Sequence, residues 1–120
     1  MYIQSHINGF DLRTKVLTKR EEIMRGMMGR TFSKNFSAVL FVMPVEQSSF
    51  WMKNCIIPLD VVFIQDGIVT KIYHSCPPCL KSENKCKSYP GVGNLVLELE
   101  GGTCKELKLK RGDKITFSKK

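Results

Sequence analysis

Two apolar segments separated by a tight-turn dipeptide restrict the fold of this sequence more than any other feature. The segments are residues 59–64 and 68–73, and Asp66-Gly67 stands between them. Both turn residues tolerate the positive φ that a two-residue hairpin loop requires. The pattern therefore predicts a β-hairpin in the middle of the chain, because short apolar runs bounded by turn residues are typical of strands.

Further short apolar segments predict more strands on both sides of this hairpin. Residues 38–43 are continuously apolar and stop at Pro44, which is typical of a buried strand. The other predicted strands lie at residues 15–17, from Phe50 to before Pro58, at residues 95–99, at residues 115–117, and as one short strand within residues 1–13. Several short strands with turn residues between them predict a mainly β fold, either an antiparallel β-sandwich of jelly-roll type or a partly closed barrel.

Two short helices are predicted in addition to the strands. Thr18 followed by Glu21 has the spacing of a capping box and predicts a helix over residues 19–28. The apolar face of this helix is expected to pack on a sheet and consists of Ile23, Met24, Met27 and Met28. A second helix is predicted over residues 104–109, with Thr103 as its N-cap.

Length and composition predict a single soluble domain over residues 1–120. The chain has 120 residues, of which 42% are hydrophobic and 25% are charged, and this balance is typical of a globular protein. No apolar run approaches the roughly 20 residues of a membrane span, so no membrane partner is expected. Residues 1–10 lack the basic patch and apolar stretch of a secretory signal, which predicts a cytoplasmic location.

The chain is basic, with 19 Lys and Arg residues against 11 Asp and Glu residues and a net charge of +8. Binding of nucleic acid requires a basic face with aromatic side chains interleaved for stacking. The Phe and Trp residues here belong to the apolar strand patterns instead. We therefore expect weak, non-specific attraction to polyanions and no specific nucleic-acid partner.

Residues 74–94 show no periodicity and predict a long loop, which contains three of the five cysteines, Cys76, Cys79 and Cys86. An odd total in a sequence without an export signal favours free thiols, metal binding or redox chemistry over a disulfide framework. With His74, the three thiols have the donor types of a four-ligand zinc site. A disulfide that staples the loop and thiol redox catalysis are the other interpretations. Apart from zinc, no cofactor is expected.

Several motifs together resemble one family. They are Arg25-Gly26-Met27-Met28-Gly29-Arg30, Leu40-Phe41-Val42, the Phe-Trp-Met-Lys-Asn to Pro-Leu-Asp pattern of residues 50–60, Val96-Leu97-Glu98-Leu99 before Gly101-Gly102, and Gly112-Asp113. This pattern is similar to that of the domain of unknown function 192, small proteins of bacteria, archaea and cyanophages, and it covers about residues 13–118. The resemblance implies a compact β-rich fold and no established activity.

Residues 50–60 place polar side chains beside the single tryptophan and between apolar strands. Buried polar groups are costly unless they pair with one another or with a ligand. In a structural interpretation, Asp60 pairs with Arg25 or Lys53, and Asn54 closes a turn before Pro58. In a functional interpretation, the polar groups line a pocket with an aromatic wall. The candidate ligand-binding residues are Arg25, Arg30, Trp51, Lys53, Asn54, Asp60 and Glu98.

Two hypotheses of function follow from these residues. The first is a non-enzymatic binding module whose pocket beside Trp51 takes a carbohydrate or another small polar ligand. The alternative is a metal- or thiol-dependent enzyme that uses the loop with Cys76, Cys79 and Cys86. No Ser-His-Asp or Cys-His-Asn pattern accompanies the two histidines of the chain, so acyl-transfer catalysis is not expected.

Overall fold

The computed structural model describes residues 1–80 and 85–119 and places nine strands and two short helices in them. The strands are β1 (Tyr2–Ile7), β2 (Phe10–Leu17), β3 (Ala38–Val42), β4 (Gln47–Trp51), β5 (Leu59–Gln65), β6 (Ile68–Cys76), β7 (Ser88–Val92), β8 (Leu95–Glu100) and β9 (Thr116–Lys119). The helices are α1 (Arg20–Arg25) and α2 (Thr103–Glu106). The prediction of a mainly β fold with two short helices is confirmed.

Seven strands form one sheet in the order β6-β5-β8-β3-β2-β1-β9, and β4 pairs with β7 in a separate two-stranded sheet. Neighbouring strands run antiparallel except β2 and β3, which are parallel. A parallel pair needs a long crossover connection, and residues 18–37 with α1 provide it. The large sheet is therefore mixed, and it is not closed into a barrel.

The seven-stranded sheet carries an apolar core on each face. Side chains alternate across a strand, so the neighbours Leu97 and Glu98 of β8 face opposite sides. Leu97 belongs to the cluster that Cys104 of α2 joins. The other cluster contains Phe63 and lies under β4 and β7. A Cβ atom on Gly91 of β7 would lie 2.5 Å from the Phe63 ring, so this close approach of β7 requires glycine.

The central hairpin is confirmed, since Asp66 and Gly67 join β5 to β6 with φ values of 53° and 82°. Other predicted strand boundaries were wrong because they depend on pairing between distant residues. The predicted loop over residues 74–94 contains the end of β6, which pairs with β5, and all of β7, which pairs with β4. Likewise, residues 1–17 form the complete hairpin of β1 and β2 rather than two short segments.

Helix α1 begins and ends at different residues from those predicted. The carboxylate of Glu22, not Glu21, accepts the Lys19 N–H at 3.1 Å, so the capping box lies one residue later. Gly26, with a φ of 50°, ends the helix before the predicted methionine face is complete. Met24, which lies within α1, is 66% exposed and does not belong to the buried face that was predicted. Neither helix of the described residues is long and apolar enough to cross a membrane.

Asp60 is fully buried at the start of β5 and binds backbone N–H groups. Its carboxylate accepts the N–H of Ser75 at 2.7 Å, of Gly102 at 3.2 Å and of Cys104 at 2.8 Å. The described residues contain one salt bridge, between His6 and Asp11, so the expected salt bridge of Asp60 with Lys53 or Arg25 was wrong. Three backbone donors satisfy the buried carboxylate in place of a cation.

We expect Asp60→Asn to lower the free energy of unfolding by roughly 1–3 kcal/mol, because the amide nitrogen would face a buried donor and leave it unpaired. Urea unfolding measures the change. Asp66→Asn is the matched control, since Asn tolerates the left-handed conformation of that exposed turn residue. Adding Lys53→Met to Asp60→Asn should restore no stability, and a clear recovery would show that the two charges pair after all.

Candidate functional site

A pocket of about 280 Å³ lies on the face of the sheet that α1 and β4 cover. Helix α1 and the residues that follow it form one side, and β4 with the turn after it forms the other. Most of its surface is apolar and comes from side chains that include Ile23, Met27, Phe41, Phe50 and Trp51. Edge-to-face contacts hold the Phe50 ring, whose centroid lies 5.0 Å from that of Phe41 and 5.8 Å from that of Phe63. The apolar wall is therefore fixed by packing.

Among the residues that the structure describes, Glu98 is the one acidic side chain that lines this pocket. It lies on the central strand β8, opposite Val39 of β3 and Val61 of β5, and is 4% exposed. No hydrogen bond from a described residue reaches its carboxyl group. Burial raises the pKa of Glu98 to about 8, so the group is mostly protonated at neutral pH. The pocket thus contains a neutral, buried carboxylic acid among apolar side chains.

Cys55 lines the same pocket and is also buried. Burial, and to a lesser degree the charge of Glu98, raises the pKa of its thiol to about 12. A protonated thiol is a poor nucleophile and a poor metal ligand. Cys55 therefore contributes a small, weakly polar surface beside Glu98.

Trp51, Lys53 and Arg25 also line the pocket and lie nearer the protein surface than Glu98. Trp51, at the end of β4, is 42% exposed, and Nζ of Lys53 lies 5.1 Å from its ring centroid. This distance is within the range of a cation–π interaction. Arg25, the exposed last residue of α1, also lines the pocket.

Four of the seven ligand-binding candidates named from the sequence line this pocket, namely Arg25, Trp51, Lys53 and Glu98. Asp60 faces α2 on the other side of the sheet. Asn54 adopts a φ of 61° in a turn, as the structural interpretation expected, and its backbone binds Gly29 and Cys79. Arg30 lines a separate cleft of about 240 Å³ with Lys15 and the acidic residues of α1.

The apolar residues of the pocket have no local sequence pattern that separates them from ordinary core residues. Phe41, Phe50 and Met27 were assigned to strands and to a helix face, and Cys55 attracted no role. One sequence feature did indicate the site, because Glu98 interrupts the otherwise apolar run of residues 95–99. A charged residue in such a run must either reach solvent or face a special environment.

The cysteines of the predicted loop do not form one cluster. Cys79 and Cys86 form a disulfide with a Cα–Cα distance of 5.8 Å. Cys76 is a free buried thiol, and burial raises its pKa to about 11. His74 is exposed on β6. Within residues 1–80 and 85–119, no group of three His, Cys, Asp or Glu side chains is placed to hold a metal ion.

Main-chain hydrogen bonds attach Cys79, one half of the disulfide, to the turn that follows β4. Cys79 donates its N–H to the Met52 carbonyl at 3.1 Å, and the Cys79 carbonyl accepts the Asn54 N–H at 2.9 Å. Lys53 lies between these two bonded residues and lines the pocket. The interpretation of the loop as stapled by a disulfide therefore holds for Cys79 and Cys86. Cys76 is a free thiol and does not take part.

Comparison with known proteins gives a family and two similar structures. The model of the DUF192 family, described as an uncharacterized ACR, matches residues 3–117. A crystal structure of a protein of unknown function from Novosphingobium aromaticivorans DSM 12444 has a TM-score of 0.80 and 28% identity, over 97% of this chain and 84% of that one. A putative transcription regulator from Sinorhizobium meliloti 1021 has a TM-score of 0.80 and 25% identity, over 98% and 94% of the two chains. No curated protein is significantly similar.

We expect Cys79→Ser to lower stability by roughly 2–3 kcal/mol under oxidising conditions, on the scale of a disulfide that closes a short loop. In reductant, the wild-type protein and the variant should unfold at nearly the same denaturant concentration. Urea unfolding with and without reductant measures both differences. Equal stability of the two proteins without reductant would contradict the staple.

Glu98 should make the fold less stable as pH rises. Between its ordinary pKa of 4.5 and its folded pKa of about 8, the unfolded chain has lost a proton that the folded chain keeps. Ionisation therefore favours unfolding, and this group alone should lower the free energy of unfolding by about 1.4 kcal/mol per pH unit in that window. Above the folded pKa, its contribution is constant.

Urea unfolding at several pH values between 4.5 and about 8 measures how the free energy of unfolding changes with pH. Glu98→Gln should remove this component of the pH dependence, since the amide does not ionise. Glu100→Gln, an exposed change on the same strand, should leave it in place. Identical pH profiles for the wild-type protein and Glu98→Gln would show that Glu98 titrates normally.

Proposed function

We propose a ligand-binding function for this chain, which belongs to the domain of unknown function 192 family. The proposed site is the pocket between α1 and β4 whose walls include Phe41, Phe50 and Trp51. Ligand sites combine a mostly apolar wall with a few polar groups that fix the orientation of the ligand. This pocket has that composition.

The observation that carries the proposal is the unpaired carboxyl group of Glu98. A buried polar group without a hydrogen-bond partner destabilises a fold by about 1–3 kcal/mol. Asp60, on the neighbouring strand, shows that this fold can satisfy a buried carboxylate with backbone donors. Glu98 has no such donors among the described residues. A bound ligand would supply the missing hydrogen bond.

The wall composition indicates the kind of ligand. The pocket is lined mainly by methionine and aromatic side chains, and Asn54 and Asp60, which would suit a sugar, lie outside it. A small molecule with an apolar body and one polar group therefore matches the pocket better than a carbohydrate, which was one of the two ligand classes expected from the sequence. The enzymatic alternative with Cys76, Cys79 and Cys86 stays a prediction.

The description of the Sinorhizobium protein as a putative transcription regulator suggests no second function for this chain. A helix-turn-helix protein places a recognition helix in the major groove of DNA. The two helices of the described residues have six and four residues. Neither is long enough to present a row of side chains to base edges.

A panel of fragment-sized compounds with apolar bodies and varied polar groups tests the proposal. Trp51 is the single tryptophan of the chain and lines the pocket, so its fluorescence reports on binding there. We expect at least one fragment to change this fluorescence saturably and to shift the backbone amide resonances of residues around the pocket. A panel without any saturable response would overturn the proposed function.

A pair of variants on β4 locates the binding. Ser49 is exposed and lines the pocket, whereas Gln47 is exposed on the same strand and does not. Ser49→Leu should obstruct the pocket and weaken binding by about tenfold, equal to 1.4 kcal/mol. Gln47→Leu should leave the affinity unchanged. Equal effects of the two substitutions would place the fragment elsewhere.

A further inference from the structure

We infer that the ligand of this pocket is a small apolar carboxylate, which accepts a hydrogen bond from Glu98, and that organic amines are excluded. This inference rests on the proposed binding function and specifies its ligand. Three observations carry it: the acid in the pocket that has no hydrogen-bond partner among the described residues, the positive side chains that line the pocket, and the neutral groups that face Glu98.

The first observation concerns the hydrogen bond that Glu98 can make. A protonated carboxyl group has one O–H donor, and no acceptor among the described residues bonds to it. Because Glu98 lines the pocket, a bound ligand would be placed to supply this acceptor. A carboxylate oxygen is a strong acceptor, because hydrogen bonds to an ionised group are about twice as strong as those between neutral groups.

The second observation concerns the charges that line the pocket. Arg25 and Lys53 both line it and are the cations among its lining residues. The guanidinium of Arg25 forms no salt bridge with a described residue. Arg25 also lines the adjoining cleft, together with Arg30 and the acidic residues Glu21 and Glu22 of α1. Among the described lining residues, two cations thus accompany one acid, and this balance favours an anionic ligand over a cationic one.

The third observation concerns the groups that face Glu98 and could change its charge. Cys55, from the turn after β4, and Cys76, from β6, interact electrostatically with Glu98. Burial raises their pKa values to about 12 and about 11, so both thiols are neutral where Glu98 titrates. Val39 and Val61, its partners on β3 and β5, carry no charge. Glu98 itself therefore sets the pH response of the pocket.

Ionisation of Glu98 should reverse the preference of the pocket. Below its pKa of about 8, the neutral acid donates to the carboxylate of the ligand. Above that pKa, Glu98 becomes an anion that repels the same carboxylate at short range. The affinity for a carboxylate should therefore fall as pH rises through 8, while an amine would be bound more tightly over the same range.

Three compounds with the same chain length and different polar groups test the inference, namely hexanoate, hexanamide and hexylamine. Their dissociation constants are measured by Trp51 fluorescence and amide chemical shifts at about pH 6 and about pH 9, on either side of the Glu98 transition. We expect hexanoate to bind at least about tenfold more tightly than hexylamine at the lower pH. Hexanoate should lose about tenfold in affinity at the higher pH, and hexanamide should change little.

Two variants assign the pH response to Glu98. Glu98→Gln keeps an N–H donor at the same place and cannot ionise, so it should still bind hexanoate and should lose the pH dependence. Glu100→Gln should behave as the wild-type protein. Tighter binding of hexylamine, or a pH response that survives in Glu98→Gln, would overturn the carboxylate inference.

The two proposals fail in different ways. If fragments of the panel bind in the pocket and hexanoate does not, the carboxylate inference is wrong and the binding function stands. If neither the panel nor the three hexyl compounds bind, the proposed function itself is wrong. Binding of hexanoate that Ser49→Leu does not weaken would mean non-specific attraction to the basic surface, which contradicts the inference as well.

Discussion

The hydrogen bonds of the buried Asp60 carboxylate join strand β5 to strand β6 and to helix α2. The rest of the structure depends on this connection. This one side chain, at the start of β5, binds the backbone of β6 at Ser75 and the start of α2 at Gly102 and Cys104. Strand β5 lies between β6 and β8 in the sheet. A buried carboxylate with three N–H donors needs no counter-ion, because oriented amide dipoles stabilise its charge. The position of α2 against the sheet follows from these bonds.

Asp60 and Glu98 show how environment assigns different roles to similar groups. Asp60 pairs in register with Leu99, and Glu98 with Val61, so the two acids lie on adjacent strands and face opposite sides of the sheet. On its side, Asp60 meets free backbone donors at the start of a helix. On the other side, Glu98 meets valines and a pocket. The satisfied acid stabilises the fold, and the unsatisfied acid is the basis for the proposed ligand site.

The pocket depends on elements that are far apart in the sequence. Its walls need the early end of α1 at Gly26, where an added Cβ would lie 3.1 Å from the Phe41 ring. They also need the turn after β4, which the Cys79 segment binds through main-chain hydrogen bonds. The disulfide between Cys79 and Cys86 lies next to these hydrogen bonds and so joins the turn beside the pocket to the segment at Cys86.

Local sequence determined the strands with continuous apolar runs, the Asp66-Gly67 hairpin and the family. It also identified Trp51, Lys53, Glu98 and Arg25 as candidate site residues. Polar groups close to apolar strands destabilise a fold unless they find a hydrogen-bond partner or a ligand. These features depend on residues near one another in the chain. Propensity and periodicity are therefore sufficient to find them.

Tertiary structure alone decided which of the marked residues meet. Periodicity cannot show that β2 and β3 pair in parallel, that β7 arises inside an apparent loop, or that Asp60 prefers backbone donors to Lys53, since each depends on contacts between distant segments. It also cannot distinguish the two faces of β5 and β8. On one face, backbone donors bind Asp60, and on the other, no described residue bonds to the carboxyl group of Glu98. The sequence alone thus identified the candidate polar residues, and the packing of the sheet selected the pocket among them, because burial and hydrogen bonding are properties of the assembled fold.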